Sequence, residues 1–219
     1  PKDVKRVAES GLLIVNGAGL EGFIERLVRE AGGSRMIIEA SAGLASRTPR
    51  HAAVDKETED GHEHDHDLEG MNDRDHGHAH GEVDPHFWLD PVLVLTYVDN
   101  IRKGFAAFDP EGQAEYAENA KIYAGMLREL DRWIVEQVGR IPEGNRVLVT
   151  NHESLGYFAD RYGFRIVGAV IPSVSTGSSP SARELAVLTD AVRRSGARAV
   201  FLETGANPKL ARQLAEETG

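Results

Sequence analysis

The amino-acid sequence predicts an α/β protein with two lobes, each a parallel sheet flanked by helices, and one long rigid helix that joins them. Two separate stretches alternate short apolar strands with amphipathic helices, which is the pattern of βα units. Between these stretches one helix is predicted from about residue 111 to 140, roughly 40 Å of helix at about 1.5 Å per residue. Such a length is unusual within one globular lobe and indicates a bridge between two.

These elements divide the 219 residues into an N-terminal lobe over 1–109, a linking helix over 110–141 and a C-terminal lobe over 142–219. In the N-terminal lobe the apolar run Leu12–Val15 predicts a buried parallel strand, and a second strand is predicted at 36–38. In the C-terminal lobe, strands are predicted at 147–149, 166–170 and 199–202. The linking helix repeats apolar residues every three or four positions, which predicts one buried face of Ala120, Tyr123, Leu127, Leu130, Ile134 and Val138.

The composition excludes several functional classes. A formal net charge of −10 argues against nucleic-acid binding, which depends on clustered Lys and Arg. The absence of cysteine excludes disulfides, thiolate zinc sites and cysteine nucleophiles, so a metal would have to be bound by His, Asp or Glu. The same absence fits a bacterial protein outside the cytoplasm. No apolar stretch approaches the roughly 18 residues that a membrane-spanning helix needs.

A glycine pattern near the N-terminus is compatible with two interpretations. Gly17, Gly19 and Gly22 follow a predicted strand and open a helix, as in dinucleotide-binding folds, and Glu39 lies about where a ribose-binding acid would stand. Against this, Glu21 would place a negative charge beside the pyrophosphate that the helix N-terminus is meant to attract. We therefore favour a plain tight turn between a strand and a helix.

A histidine- and acid-rich segment fills residues 51–82, where large apolar residues are nearly absent. Such a segment cannot bury enough surface to offset the cost of ordering its backbone, so we expect a flexible loop. Closely spaced imidazoles and carboxylates offer weak, exchangeable sites for Zn²⁺ or similar ions. A solvated linker and an engineered tag are the other interpretations, although interrupted, internal histidines disfavour a tag. The predicted weaker ligands are His62, His64, His66, His76, His78 and His80.

Two histidines stand apart from this loop, in segments with apolar flanks. His86 precedes a helix start at which Asp90 is placed to cap the first turn and Pro91 to occupy its first position. His152 lies at the carboxyl end of a predicted strand, the edge at which open α/β sheets bind ligands. We predict that His86 and His152 hold a metal in the cleft between the lobes. If both bind as neutral imidazoles, affinity should fall as pH drops below about 6.5.

The order of four motifs resembles the zinc and manganese substrate-binding proteins of bacterial ABC transporters (cluster A-I). The motifs are Asn16-Gly-Ala-Gly-Leu-Glu21, Asp84-Pro-His-Phe-Trp-Leu-Asp-Pro91, His152-Glu-Ser-Leu-Gly-Tyr-Phe-Ala159 with Arg161-Tyr-Gly163, and Glu203 with Pro208-Lys-Leu210. The resemblance covers nearly the whole chain, and a His-rich loop before the Asp-Pro-His motif is typical of the zinc branch. It implies a metal between two α/β lobes, with His86 as one ligand and His152 as the first ligand of the second lobe. Manganese-type members have glutamate at the position of His152, so histidine there favours Zn²⁺ over Mn²⁺.

The resemblance implies an extracytoplasmic receptor that delivers Zn²⁺ to the membrane permease of an ABC importer and catalyses no reaction. Its expected location is the periplasm, or a lipid anchor on the outer face of the cell membrane. We expect a monomer whose partners are the permease, the metal ion and, as a further candidate, a zinc metallochaperone, but not nucleic acid. Family members carry a further His ligand before the segment that matches Pro1, and a late Asp ligand beyond the one that matches Gly219. We therefore expect a chain truncated at both ends.

Two other functions remain open from the sequence. A periplasmic zinc buffer or chaperone would use the same ligands without a transporter. A zinc metallohydrolase would need an open coordination position beside a general base, for which Glu153 is available. The His152-Glu153 pair is not part of a His-Glu-x-x-His pattern, because Gly156 stands where the second histidine would be, and this disfavours the hydrolase.

Overall fold

The structure is a computed structural model that describes residues 2–47, 83–171, 180–204 and 206–219. The first lobe contains helix α1 (Lys2–Glu9), strand β1 (Leu12–Val15), helix α2 (Ile24–Ala31), strand β2 (Met36–Glu39), a 3-10 turn (Phe87–Leu89) and helix α3 (Val94–Phe108). The linking helix α4 (Gln113–Gly139) follows a short 3-10 turn (Pro110–Gly112). The second lobe contains a 3-10 turn (Glu143–Asn145), strand β3 (Val147–His152), helix α5 (Gly156–Tyr162), strand β4 (Arg165–Ile171) and helices α6 (Ala182–Ser195) and α7 (Lys209–Thr218).

Each lobe has a parallel pair of strands, as the alternation of strands and helices predicts. In the first lobe β1 pairs with β2 from Leu12 opposite Met36 to Val15 opposite Glu39. In the second lobe β3 pairs with β4, with a register irregularity between Leu148 and Val149. Parallel pairs place their carboxyl ends at one edge, so His152 lies at the edge that the sequence predicts.

Two predictions about strands are wrong in detail. β1 is not a buried strand, because Ile14 on β1 and Ile37 on β2 are exposed in a sheet of only two described strands. The strand predicted at 199–202 is reduced to one parallel bridge between Thr150 and Phe201. The backbone N–H of Phe201 donates to the carbonyl of Val149 at 2.8 Å, and the chain then turns. A single bridge still brings the residues after Phe201 to the carboxyl end of β3.

The hydrophobic core of the second lobe lies between β3, β4 and the helices α6 and α7. Its buried members are Val149, Val167, Val170, Leu188, Val192, Ala211 and Leu214. A second buried cluster connects the two lobes, since it joins Ala40, Phe87 and Tyr97 of the first lobe to Tyr157 on α5. The rings of Phe87 and Tyr157 lie 4.7 Å apart between centroids. The lobes are therefore in direct apolar contact beside the segment that carries His86.

Helix α4 has 27 residues, which is roughly 40 Å, and it matches the predicted linking helix. Its predicted buried face is only partly buried. Leu127 and Val138 are buried, whereas Tyr123 and Leu130 are 51% and 44% exposed. The apolar stripe is wider than the surface that the described residues cover. Within the described ranges, no helix combines the length and apolar character needed to cross a membrane.

Helix α3 begins later than the sequence predicts. The Asp90 carboxylate accepts a hydrogen bond from the backbone N–H of Val92 at 2.8 Å, as expected of a cap. However, residues 91–93 form turns, and regular α-helix begins at Val94. The preceding 3-10 turn of Phe87–Leu89 holds Phe87 in the core, which fixes the segment directly after His86.

Candidate metal site

His86 is held by contacts from within the first lobe to its own backbone and ring and to the residue before it. The Asp84 carboxylate accepts from the backbone N–H of His86 at 3.0 Å and lies 2.8 Å from its ring nitrogen Nδ1. The Asn16 side-chain amide donates to the carbonyl of Pro85 at 3.1 Å, and the Tyr97 hydroxyl donates to Asn16 Oδ1 at 2.6 Å. These contacts fix the backbone at the histidine and just before it, and they leave its Nε2 facing the cleft.

His152 is the last residue of β3 and is also buried. Its carbonyl accepts from the Thr150 hydroxyl at 2.8 Å and from the backbone N–H of Ser154 at 2.9 Å. Its Nδ1 lies 2.5 Å from Oε1 of Glu203, which also accepts from the Ser154 hydroxyl at 3.2 Å. The Nδ1–Glu203 contact is close but not aligned as a regular hydrogen bond, so it is an electrostatic contact.

The two histidines meet across the cleft through their Nε2 atoms, which are 3.2 Å apart. Two imidazole nitrogens bound to one tetrahedral zinc at about 2.0–2.1 Å lie roughly 3.3 Å from each other. The observed separation therefore fits two ligands of a single ion. The ring centroids are 5.1 Å apart in an edge-on arrangement, which lets both nitrogens point towards the same position.

The contacts at Nδ1 decide which nitrogen of each ring is available for a metal. A carboxylate beside Nδ1 favours a proton on that atom and leaves the lone pair on Nε2. Asp84 provides this contact for His86 and Glu203 provides it for His152. With both rings in this tautomer, two lone pairs face each other at 3.2 Å. Such a pair is mutually repulsive unless a cation lies between the nitrogens.

Burial also favours the neutral, metal-binding form of His152. Desolvation lowers the pKa of His152 from its ordinary value of 6.5, and the nearby His86 acts in the same direction. The Glu203 carboxylate acts in the opposite direction, but burial is the larger effect. The ring is therefore neutral near neutral pH and can offer its lone pair without first losing a proton.

The histidines open into a cleft of about 1000 Å³ with mainly apolar walls. Leu20 belongs to the first-lobe wall, together with Trp88, whose ring lies 5.1 Å from that of His86 between centroids. Leu155 and Phe201 belong to the second-lobe wall. Apolar walls lower the local dielectric constant, which strengthens the attraction between a cation and the polar groups that face it.

The glycine turn at the edge of this cleft has no place for a phosphate. The Glu21 carboxylate accepts from the backbone N–H groups of Asn16 at 2.6 Å and Gly17 at 3.1 Å, and Glu39 accepts from Ala18 at 3.2 Å. Gly17 has φ +87°, and a Cβ there would overlap the Glu39 side chain. The amides that would bind a pyrophosphate are satisfied by the chain's own acids, so the dinucleotide interpretation is wrong and the tight turn is correct.

The structure brings together two of the predicted metal ligands. His86 and His152 meet, whereas the six histidines of the loop lie outside the described residues. Among the residues described, no three His, Asp or Glu side chains converge on one metal position. Glu153, which a hydrolase would need as its base, lines a separate cavity of about 120 Å³ beside Arg47 rather than the cleft.

Sequence reasoning assigned no role at the site to three residues that support the histidines, although Asp84 and Glu203 belong to the motifs of the resemblance. Glu203 had a usable signal, because it follows a predicted strand beside that of His152 and so falls at the same sheet edge. Asp84 had a weaker one, since an acid two residues before a histidine can reach both its backbone N–H and its ring. Arg47, which contacts Asp84 at 3.3 Å, had none.

Solved structures share this fold. The periplasmic zinc binding protein TroA from Treponema pallidum superposes with a TM-score of 0.77 at 24% identity, covering 99% of this chain and 68% of that one. The laminin binding protein Lmb of Streptococcus agalactiae gives 0.77 at 22% identity, covering 99% and 70%. The chain thus has the two-lobed α/β fold with a long helix between the lobes, and the predicted fold class is confirmed.

The chain belongs to the ZnuA family, described as zinc-uptake complex component A, periplasmic, which matches residues 1–219. Manganese-binding lipoprotein MntA of Halalkalibacterium halodurans is 30% identical over 219 residues, covering 100% of this chain and 63% of the relative. High-affinity zinc uptake system protein ZnuA of Bacillus subtilis is 31% identical over 220 residues, covering 100% and 63%. Iron-binding protein YfeA of Yersinia pestis is 26% identical over 219 residues, covering 100% and 61%. The chain thus spans about three fifths of the length of these relatives, and the predicted resemblance is confirmed.

Proposed function

We propose that the protein is an extracytoplasmic receptor that binds Zn²⁺ between its lobes and delivers it to the permease of an ABC importer. The observation that carries the proposal is the pair of Nε2 atoms 3.2 Å apart, each on a ring whose Nδ1 lies against a carboxylate. Two imidazole nitrogens at this separation fit two ligands of one cation. Family membership supports a role in metal uptake.

The donor atoms support zinc over manganese. Imidazole suits Zn²⁺, whereas Mn²⁺ is more often bound by sites rich in carboxylate and water oxygens. Here both described ligands are imidazoles, and the nearby carboxylates of Asp84 and Glu203 contact the outer nitrogens instead of the metal position. The names of the relatives include zinc, manganese and iron, so the preference for zinc rests on His86 and His152.

The histidine loop is proposed to provide weaker sites that raise the zinc concentration near the cleft. Alternating imidazoles and carboxylates bind divalent ions with fast exchange, which suits capture and transfer better than storage. The residues assigned to this role are His62, His64, His66, His76, His78 and His80.

The proposed lobes are residues 1–109 and 142–219, and the linking helix between them is proposed to span residues 110–141.

The surroundings of the site support binding without catalysis. Glu153 faces a different cavity, and the cleft walls are mainly apolar. A general base must reach the proton that it removes, directly or through one water. A location in the periplasm, or on a lipid anchor at the outer face of the membrane, is proposed from the family description and from relatives described as lipoproteins.

Calorimetric zinc titration of the protein and of three variants tests the proposal. His86→Ala and His152→Ala should each abolish one tight site while weaker sites remain. Deletion of residues 51–80 serves as the complementary control and should keep the tight site while removing weak ones. Tight binding that survives both alanine changes but not the deletion would place the function in the loop and indicate a zinc buffer.

Delivery is tested separately from binding. Cells that depend on this receptor should grow in zinc-poor medium only when the cognate permease is present. Growth support that does not require a permease would contradict the receptor role even if the tight site is confirmed.

A further inference from the structure

Arg47 connects the two lobes directly behind His86. Its Nη1 lies 3.3 Å from Oδ2 of Asp84 in the first lobe, and its Nε donates to Oδ2 of Asp160 on α5 at 2.9 Å. The Arg47 side chain is only 15% exposed, although Asp160 at the far end is half exposed. A planar guanidinium can hold two carboxylates in fixed directions, which a lysine cannot do in the same way.

Asp84 is the carboxylate that fixes the His86 ring. Its side chain is 1% exposed, with Oδ1 on the backbone N–H and ring Nδ1 of His86, and Oδ2 on Arg47. Its backbone N–H donates to the Ser46 hydroxyl at 3.1 Å. The two carboxylate oxygens therefore have different partners, and loss of Arg47 would leave Oδ2 buried without its charged partner.

Helix α5 of the second lobe contacts the same group from the other side. The Tyr157 hydroxyl donates to the carbonyl of Asp84 at 2.8 Å and accepts from the backbone N–H of Arg47 at 3.1 Å. The guanidinium passes over Gly156, where an added Cβ would overlap it. This approach requires a residue without a side chain at the start of α5. The orientation of a first-lobe histidine thus depends on contacts with a second-lobe helix.

We propose that Arg47 is a positioning residue for the His86 ligand, acting through Asp84 and coupling the orientation of the His86 ring to the contact between the lobes. This inference rests on the proposed zinc site, whose ligands it does not change. Residues that orient a metal-binding histidine from behind affect affinity although they never touch the metal. If α5 moved away from the first lobe, Arg47 would lose Asp160 and Asp84 would lose the Tyr157 contact, while the Arg47–Asp84 and Asp84–His86 contacts would remain, so the His86 ring would be held less firmly.

Zinc affinity and the His86 tautomer are measured together in Arg47→Gln and Gly156→Ala. Both changes should weaken zinc binding by roughly 10- to 100-fold, the range found when outer partners of metal ligands are removed. Long-range ¹H–¹⁵N NMR of the zinc-free protein should show His86 protonated at Nδ1, and both variants should lose this preference. Gly156→Ala keeps every charged group, so the same result in it identifies the position of the guanidinium as the cause. Asp160→Asn should have a smaller effect, because the Arg47–Asp84 contact remains.

Arg161→Gln is the matched control. Arg161 also joins two acids, Asp90 of the first lobe at 3.2 Å and Asp131 of α4 at 2.7 Å, but it contacts neither Asp84 nor His86. It should lower the melting temperature while leaving zinc affinity within about twofold and the His86 tautomer unchanged. An effect on affinity as large as that of Arg47→Gln would show general loosening of the lobes and overturn the assignment.

The outcomes separate this inference from the proposed function. Wild-type affinity and tautomer in a folded Arg47→Gln protein would overturn the positioning role, while loss of binding in His86→Ala would leave the receptor proposal intact. Retained tight binding in His86→Ala would instead refute the zinc site itself. If Arg47→Gln does not fold, Gly156→Ala decides, and wild-type behaviour there refutes the coupling.

Discussion

Replacing Asp131 with asparagine should lower the stability of the protein, because this residue attaches the linking helix to the second lobe. Asp131 on α4 accepts from Arg161 Nε and Nη2 at 2.7 Å each, and from the Tyr162 hydroxyl at 2.9 Å. Both partners lie at the end of α5. The two side chains of the ion pair are 17% and 28% exposed, so the pair is partly shielded from water.

The size of the effect follows from this geometry. Asparagine keeps one oxygen acceptor but places an NH₂ group opposite an arginine N–H, so one charge-assisted hydrogen bond is lost and the others are weakened. Hydrogen bonds to charged groups contribute about 1.5–3 kcal/mol each. With partial exposure taken into account, we expect a loss of about 2 kcal/mol. In a protein of this size that corresponds to a melting temperature lower by about 4–8 °C.

The effect should depend on pH in one direction. Hydrogen bonding to Arg161 is the main reason that the pKa of Asp131 lies below its ordinary value of 3.8. Because the folded-state pKa is lower than the unfolded one, the stabilisation is fully present above the unfolded pKa. It is lost as pH falls through the folded-state pKa. The difference between wild type and Asp131→Asn should therefore be constant from neutral pH to about pH 5 and shrink below about pH 4.

Thermal melts followed by circular dichroism measure both features. Asp190→Asn is the matched control, because Asp190 forms an exposed pair with Arg193 at 3.9 Å within one helix. Its removal should change stability by less than about 0.5 kcal/mol. The reasoning is refuted if Asp131→Asn lowers the melting temperature no more than Asp190→Asn does. A difference that persists unchanged near pH 3 would refute the electrostatic explanation.

Three further predictions concern the site and the glycine turn. Burial lowers the pKa of His152 below 6.5, so zinc affinity measured by chelator competition should be nearly constant from about pH 8 to pH 6.5 and should fall at lower pH. A loss of affinity that begins above pH 6.5 would contradict a neutral buried ring. Glu203→Gln should weaken zinc binding by roughly tenfold without lowering the melting temperature, and unchanged affinity would remove Glu203 from the site. Gly17→Ala should lower the free energy of unfolding by about 1–3 kcal/mol. The loss should exceed that of Gly19→Ala, because both glycines have positive φ but only at Gly17 would a Cβ overlap Glu39. Equal losses in chemical denaturation would exclude that overlap.

Sequence reasoning succeeded where local pattern determines structure. The alternation of apolar runs with amphipathic helices predicts both parallel pairs and the linking helix, because strands and helices bury surfaces with different periods. The position of His152 at the carboxyl end of a strand could be predicted for the same reason. His86 could be placed only on a stiff segment, since nothing in its surroundings states which ring nitrogen faces the cleft.

Long-range polar contacts could not be predicted. Arg47 is separated from Asp84 by 37 positions in the sequence and from Asp160 by 113. Contacts between residues so far apart produce no periodic pattern from which they could be predicted. The prediction of the buried face of the linking helix failed for a related reason. An apolar stripe such as that of Tyr123 and Leu130 reports which side of a helix is apolar, but not how much of that side a neighbour covers.

The glycine turn, whose amides are bonded to the chain's own acids, bears on whether an anion could enter the cleft together with a metal ion. Zinc in solution is often bound to phosphate or carboxylate anions, and exposed backbone amides at a helix start would bind such anions. Here the amides of Asn16, Gly17 and Ala18 are already bonded to Glu21 and Glu39. At the proposed metal site, an anionic complex of the ion would therefore meet carboxylates and apolar walls at this edge of the cleft, where it would find none of these amides free to bind its anion.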